Sequence, residues 1–344
     1  MPMTPFAQLA DEWISATLTH SPGLATQLGI HDYDGELGDR SRESTEGRAR
    51  TLRTLLGRLE AIAPATLAPA DRPDYELLRR RILWELVTIE ELETWRSSPG
   101  GYLGSIGRGC NGLIIRDFAP LEERARSLVS RLRQAPRVLE QAKANLDACP
   151  RIHVETAIEQ AAGVSALLQR DLPDALSGLE DTALRAGFEE AQRAAADALD
   201  GFAAWLKDDL LPRSNADFAY GPDRFSKLLA YADFVGHSLD ELERRAEDDL
   251  GACQERLREL CARVDSSKTP AEAVDLVSQD HPTPERLLPD TDALLEELRQ
   301  FAVDRRLATM PTEVRIRVAE TPSFARMTTQ AACSTPGPFE TKAT

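Results

Sequence analysis

The chain has 344 residues, 42% of them hydrophobic and 28% charged, which is a globular composition and excludes a disordered one. Its formal net charge of −16 argues against nucleic acid and against anionic membrane surfaces, because both attract Lys and Arg. No apolar run approaches the roughly 20 residues of a membrane span. The start "MPMTPFAQLADEW" lacks the basic and apolar regions of a secretory signal, and the five cysteines form no CxxC pair. Together these features point to a cytoplasmic protein.

In chain order, the first long helix expected is "RPDYELLRRRILWELVTIEELETW", capped by Asp71. Residues 97–120 then break the helical rhythm, with six glycines between Gly100 and Gly112. That density predicts a long interhelical loop whose backbone approaches another surface closely. Such a loop is the best place for a substrate contact. Tyr102 offers a ring face and a hydroxyl, and Arg108 offers a fork of donors suited to a carboxylate. It is not a phosphate loop, since no GKS or GKT follows. At its exit Arg116 and Asp117 read as a local ion pair.

Leu121, Ala125, Leu128 and Leu132 stripe the next helix, which Pro136 is expected to divide from "RVLEQAKANL". Further on, "SLDELERRAEDDLGACQERLRELCARV" carries apolar residues at steps of three and four over about seven turns. Ser238 caps it, with Glu241 at the third position, and Gly251 in its middle reads as a point of close packing. Thr269, Pro270 and Glu272 open another helix; Thr283 and Pro284 open a third, which Pro289 is expected to break or kink. The count is about ten helices, several longer than the usual mean, with no fixed-period repeat.

The last regular element is different. In "PTEVRIRVAE" Val314, Ile316 and Val318 alternate with Arg315, Arg317 and Ala319, the period of a half-buried strand over about residues 312–319. The fold class expected is therefore mainly α, a helical domain over 1–310, followed at 311–344 by the start of an α+β region. A strand alone leaves its edges open and would invite self-association.

Catalytic signatures are missing. His20, His31, His153, His237 and His281 form neither HExxH nor HxxxH, and no Glu stands three residues before a His. His153 and Glu155 are two apart and diverge on a helix; "HDYD", with His31, Asp32 and Asp34, reads as turn chemistry. No GxSxG elbow occurs, and runs such as "EELE" and "AEDD" read as solvated helix faces. No catalytic residue and no metal ligand can be assigned.

Blocks across nearly the whole chain nevertheless carry a resemblance. "PGLATQLGIHDYDGELGD", "DYELLRRRILWELVTIEEL", "RDFAPLEERARSLVSRLRQAPRVLEQAKANL", "PRIHVETAIEQ", "FSKLLAYADFVGHSLDELERRAEDDL", "DHPTPERLL" and "RVAETPSFARMTTQAACSTPGPFE" resemble, in order, the bacterial domain-of-unknown-function family 885. The resemblance implies a relative of HExxH-type zinc metallopeptidases, largely helical around a deep cleft, with the zinc helix downstream of the closing stretch. Zinc is thus expected only in a full-length member, with no cofactor in this chain. The function implied is the N-terminal helical wall of a peptide or small-molecule hydrolase, inactive alone. The alternatives are a truncated, non-enzymatic helical binding or scaffold protein, and a hydrolase built from scattered residues.

Overall fold

The structure is a computed structural model that describes residues 3–310, 314–326, 329 and 331–340. It divides into two compact units, the first made of Met1–Gly236 and Pro322–Thr344 and the second of His237–Thr321. The second unit is thus an insertion: the chain leaves the first at residue 236 and returns at 322. The boundary expected near residue 310 lies inside the second unit.

Among the described residues the regular elements of unit 1 are all helices. Its elements are α1 (Pro5–His20), α2 (Pro22–Leu28), α3 (Arg42–Glu60), α4 (Asp71–Glu90), α5 (Thr94–Ser97) and α6 (Gly100–Asn111). They continue with α7 (Leu121–Asn145), α8 (Arg151–Ala166), α9 (Leu172–Ala175), α10 (Thr182–Trp205), α11 (Leu211–Arg213) and α12 (Gly221–Tyr231). Single π turns, Leu167–Asp171 and Leu206–Leu210, join α8 to α9 and α10 to α11. Phe6 and Leu9 of α1, Leu52, Leu55 and Leu59 of α3, and Tyr75, Leu78 and Ile82 of α4 close a small core. The larger core lies among α6, α7, α8 and α10. There Ala125, Leu128, Leu132, Leu139 and Ala142 of α7 face Phe188, Ala191, Ala195, Leu199 and Phe202 of α10. Each buried Leu or Phe contributes about 1.5–3 kcal/mol relative to exposure.

Two sequence expectations fail here for the same reason. Pro136 lies within an unbroken α7. An interior proline costs about 3 kcal/mol, and the apolar stripe that α7 buries on both sides of it outweighs that cost. The glycine-rich segment is no loop either, since residues 100–111 form α6 and bury Tyr102, Leu103, Ile106 and Cys110. Its glycines do serve close approach, but between packed elements. A Cβ at Gly107 would sit 3.0 Å from the Phe324 ring, and one at Gly109 2.9 Å from Leu37. Asp71 lies in the first turn of α4, with Ala70 in the capping position.

Unit 2 holds α13 (Leu239–Val264), α14 (Pro270–Ser278) and α15 (Pro284–Asp304). The start signals work as expected: Ser238 accepts from the Glu241 N–H at 3.3 Å, and Thr269 with Glu272 forms a complete capping box. α15 runs through Pro289. The carbonyl that this proline leaves without a helical donor belongs to exposed Glu285, where water can serve it. Among the described residues of unit 2, Cys261 and Ala273 are the buried apolar ones, while Leu250, Leu257, Leu294, Leu298 and Phe301 are exposed. Gly251 faces open space, so it marks no close packing.

Among the described residues the terminal strand does not form. Residues 312 and 313 lie outside the described residues, and 314–320 form no strand, with Val314 73% and Ile316 60% exposed. Alternation alone does not make a strand.

Candidate functional site

Tyr102 and Arg108 both lie on α6, in unequal surroundings. Tyr102 is 5% exposed; its hydroxyl donates to the Trp95 carbonyl at 2.6 Å and accepts from Asn145 Nδ2 at 3.0 Å. Burial pushes the phenol above its ordinary range. Its one donor is spent inside the protein. Arg108, by contrast, is exposed, with its guanidinium folded back over Gly104.

The residue that sequence reading missed is Arg40, in the segment before α3. Its N–H donates to Gln141 Oε1 at 2.9 Å and its carbonyl accepts from Asn145 Nδ2 at 2.7 Å. One amide, Asn145, thus ties the Arg40 backbone to the Tyr102 hydroxyl. The Arg40 guanidinium is partly buried, and its Nε has no acceptor. Burial lowers its proton affinity first; Tyr102 acts the other way, and the Arg108 charge lowers it further. No carboxylate is among these influences. Three other arginines of this unit do meet acids: Arg48 meets Glu85 at 2.7 Å, Arg96 meets Glu93 and Asp147, and Arg124 meets Asp117 at 2.5 Å.

A polar cleft of about 590 Å³ lies at the end of α1, with Thr19, His20, Asp39, Ser44, Arg48 and Arg137 in its wall. His20 is pushed down to about 4 by burial, then by the charges of Arg40 and Arg48. It is therefore neutral at physiological pH, a polar group without charge. A second, aromatic hollow of about 380 Å³ is lined by His153, Phe218, Tyr220 and Phe225. His153 places Nδ1 3.2 Å from the Ser97 carbonyl.

The "HDYD" turn is more than local chemistry. His31 meets Asp34 at 2.9 Å through Nδ1, as turn chemistry predicts, and Glu340 at 3.2 Å through Nε2, while Phe118 stacks on the ring at 3.8 Å. Asp34 also accepts from Thr26 at 2.6 Å. Arg131, fully buried, donates to Thr26 at 2.7 Å, to the Glu36 carbonyl at 2.9 Å and to the Gly109 carbonyl. Arg116 and Asp117 do not pair with one another: Asp117 holds Arg124, and Arg116 lies 3.9 Å from Glu340. Two carboxylates on one imidazole require both ring nitrogens to donate, or one acid to carry a proton. No sequence spacing signals a partner 309 residues away.

Metal donors do not gather. Among the described residues no three or more His, Cys, Asp or Glu side chains are placed to hold an ion, so a zinc centre does not fit them. The buried thiols of Cys110 and Cys149 are pushed up to about 12 by desolvation, which makes them poor nucleophiles. Among the described residues no helix is long and apolar enough to cross a membrane.

Comparison with known proteins gives a family and a similar fold. The sequence profile of the family described as "Bacterial protein of unknown function (DUF885)" matches residues 22–344. No curated protein matches the chain. A solved structure described as "a putative lipoprotein of unknown function from Shewanella oneidensis" is similar in fold, with a TM-score of 0.73 at 21% identity. The match covers 99% of this chain and 64% of that one, so the present chain spans less than two thirds of its length.

Proposed function

The chain belongs to the DUF885 family, and from that premise we propose that it forms the helical, substrate-holding wall of a zinc-metallopeptidase-like hydrolase and supplies no reacting group itself. The observation that carries this reading is a polar cleft walled by Thr19, His20, Asp39, Ser44, Arg48 and Arg137, beside the lack of any grouped metal donors among the described residues. A hydrolase wall needs groups that hold and orient a substrate, and these residues offer that much. Arg108 is the substrate contact in this proposal. Tyr102, its hydroxyl committed to Trp95 and Asn145, holds the neighbouring backbone instead. The zinc chemistry that the family resemblance implies is assigned to sequence beyond residue 344. The greater length of the Shewanella neighbour is compatible with that assignment.

A cytoplasmic setting belongs to the same proposal, resting on the odd number of cysteines. The exposed apolar rows of unit 2 favour a second reading, a helical binding protein without chemistry. Two measurements separate these readings. The DNA past codon 344 is expected to encode an HExxH helix in frame; an immediate true stop favours the binding protein. Purified 1–344 is expected to retain no stoichiometric zinc through dialysis and to cleave no peptide. Zinc retention together with peptidase activity that a chelator removes would overturn the assignment of chemistry elsewhere.

A further inference from the structure

We propose that the aromatic hollow of unit 1 is a binding site for an uncharged aromatic ring that carries an N–H or O–H donor, the side chain of a tryptophan or tyrosine. The hollow, of about 380 Å³, is lined by Phe218, Tyr220, Gly221, Pro222 and Phe225 at the entry to α12 and by His153 of α8. It shares no lining residue with the polar cleft, so it goes beyond the reading of that cleft and does not depend on where the chemistry lies. Aromatic residues are 6% of the chain, yet Phe218, Tyr220, Phe225, Tyr231 and Phe234 all fall between residues 218 and 234. Elsewhere in unit 1 such rings go inside: Phe6, Tyr75, Tyr102, Phe188 and Phe202 are buried. Phe218, Tyr220 and Phe225 are instead 67%, 41% and 44% exposed. Apolar rings scattered singly over a surface are ordinary; three that converge on one hollow mark a site.

The segment is held in place by contacts away from these three rings. Lys227 Nζ meets Glu91 at 2.6 Å, and the Ala216 N–H donates to the Cys149 carbonyl at 3.4 Å. Arg80 donates to the Ala230 carbonyl at 2.8 Å and lies 4.8 Å over the Phe234 ring. Gly221, at φ +74°, makes the turn into α12 that glycine adopts without strain. The aromatic faces are thus positioned and, among the described residues, left uncovered, as a preformed site requires. Polar chemistry selects the ligand. His153 Nδ1 stands 3.2 Å from the Ser97 carbonyl, which can only accept, so Nδ1 carries the hydrogen and Nε2 of the neutral ring is an acceptor. Among the described residues Nε2 has no hydrogen-bond partner, and it is not sealed from solvent. No Asp, Glu, Lys or Arg lines the hollow, so nothing there neutralises an ionised ligand. An indole or a phenol meets both demands, offering its ring to the aromatic walls and its donor to Nε2.

Calorimetric titration of the 344-residue chain with indole, 1-methylindole, N-acetyltryptophanamide and tetramethylammonium chloride tests this. Indole is expected to bind saturably, and N-acetyltryptophanamide at least as tightly. The same ring without a donor, 1-methylindole, should bind about fivefold more weakly, the worth of one hydrogen bond. Phe218→Ala and Phe225→Ala remove exposed rings with little effect on folding, and each should weaken indole by about fivefold. His153→Ala should bring indole and 1-methylindole to equal affinity. No saturable indole binding, or binding that survives both Phe substitutions, would sink the site; uptake by the exposed apolar rows of unit 2 would be blind to those substitutions. Equal affinity of the parent for indole and 1-methylindole would overturn the role of the donor. Binding of indole but not of the amide would overturn a side chain as the ligand. Tighter binding of tetramethylammonium than of indole would make the hollow a cage for a cation instead.

Discussion

Helices α10 and α13 are near-equals in sequence and opposites in structure. Both are long, 24 and 26 residues, with a side-chain oxygen capping the first turn and apolar residues at steps of three and four. α10 puts Phe188, Ala191, Ala195, Leu199 and Phe202 into the main core of unit 1. α13 displays its corresponding row, with Leu250, Leu257, Leu260 and Val264 all exposed and Cys261 alone buried. The difference teaches what periodicity encodes. It fixes which face of a helix is apolar, and it is silent about what covers that face. The stability of each unit must then come from different places: in unit 1 from packing and buried networks, in unit 2 from caps and local pairs worth tenths of a kcal/mol to about one.

The comparison can be broken most severely at Arg131. Replacing it with Ala leaves Thr26 Oγ1 and the carbonyls of Glu36, Gly109 and Tyr33 short of a buried donor and takes away the charge 4.0 Å from Asp34, and stability should fall by about 3–5 kcal/mol in urea unfolding. A loss under about 1 kcal/mol would mean that the buried network contributes little to unit 1.

The next largest effect is a pH dependence. His20 has its folded-state proton affinity lowered to about 4, against about 6.5 when unfolded. Between those values the unfolded chain binds the extra proton, so the contribution is fully present above about pH 6.5 and is lost as pH falls towards 4. The loss should reach at most about 3 kcal/mol. His20→Gln should flatten the stability curve over that window, and an unchanged slope would remove His20 from the account.

A smaller effect is expected at Gly163, where an added Cβ would stand 2.7 Å from the Ser323 carbonyl. Gly163→Ala should cost about 1–3 kcal/mol and should expose residues 322–326 to protease earlier than the parent. Smallest of all, Leu257→Ser and Leu298→Ser in unit 2 should change stability by no more than about 0.5 kcal/mol while reducing binding of a hydrophobic dye. A loss of 2 kcal/mol at either position would show that its row is covered in solution and would erase the contrast with α10.

How much of this was readable beforehand depends on the range of the interaction. Caps are local, and Ser238, Thr269 and Glu272 can be read from four-residue windows. The stripe of α7 is local too, but the persistence of the helix through Pro136 is not, because the surfaces that outweigh the proline come from α6 and α10. Glycines 100–112 announced close approach correctly and the wrong backbone, since small residues serve a tight helix contact as well as a loop. The site followed the same rule. Arg108 stood out by composition of its segment, whereas Arg40 became visible only once Gln141 and Asn145 had brought α7 alongside it. The Glu340 partner of His31 was beyond reach of any pattern.

That partnership has a consequence for how the polypeptide is born. Phe339 donates to the Leu28 carbonyl at 3.0 Å, Arg170 reaches Ser323 at 2.6 Å, and Glu340 sits on His31, so the last part of unit 1 to leave the ribosome seats against one of the first. Everything in unit 2 is translated in between. At about 5–20 residues per second, the nascent chain waits roughly 5–20 s with the Gly163 notch and the His31 ring uncovered, longer than most helical packing events require. For that interval the amino-terminal helices must hold their shape without their closing segment.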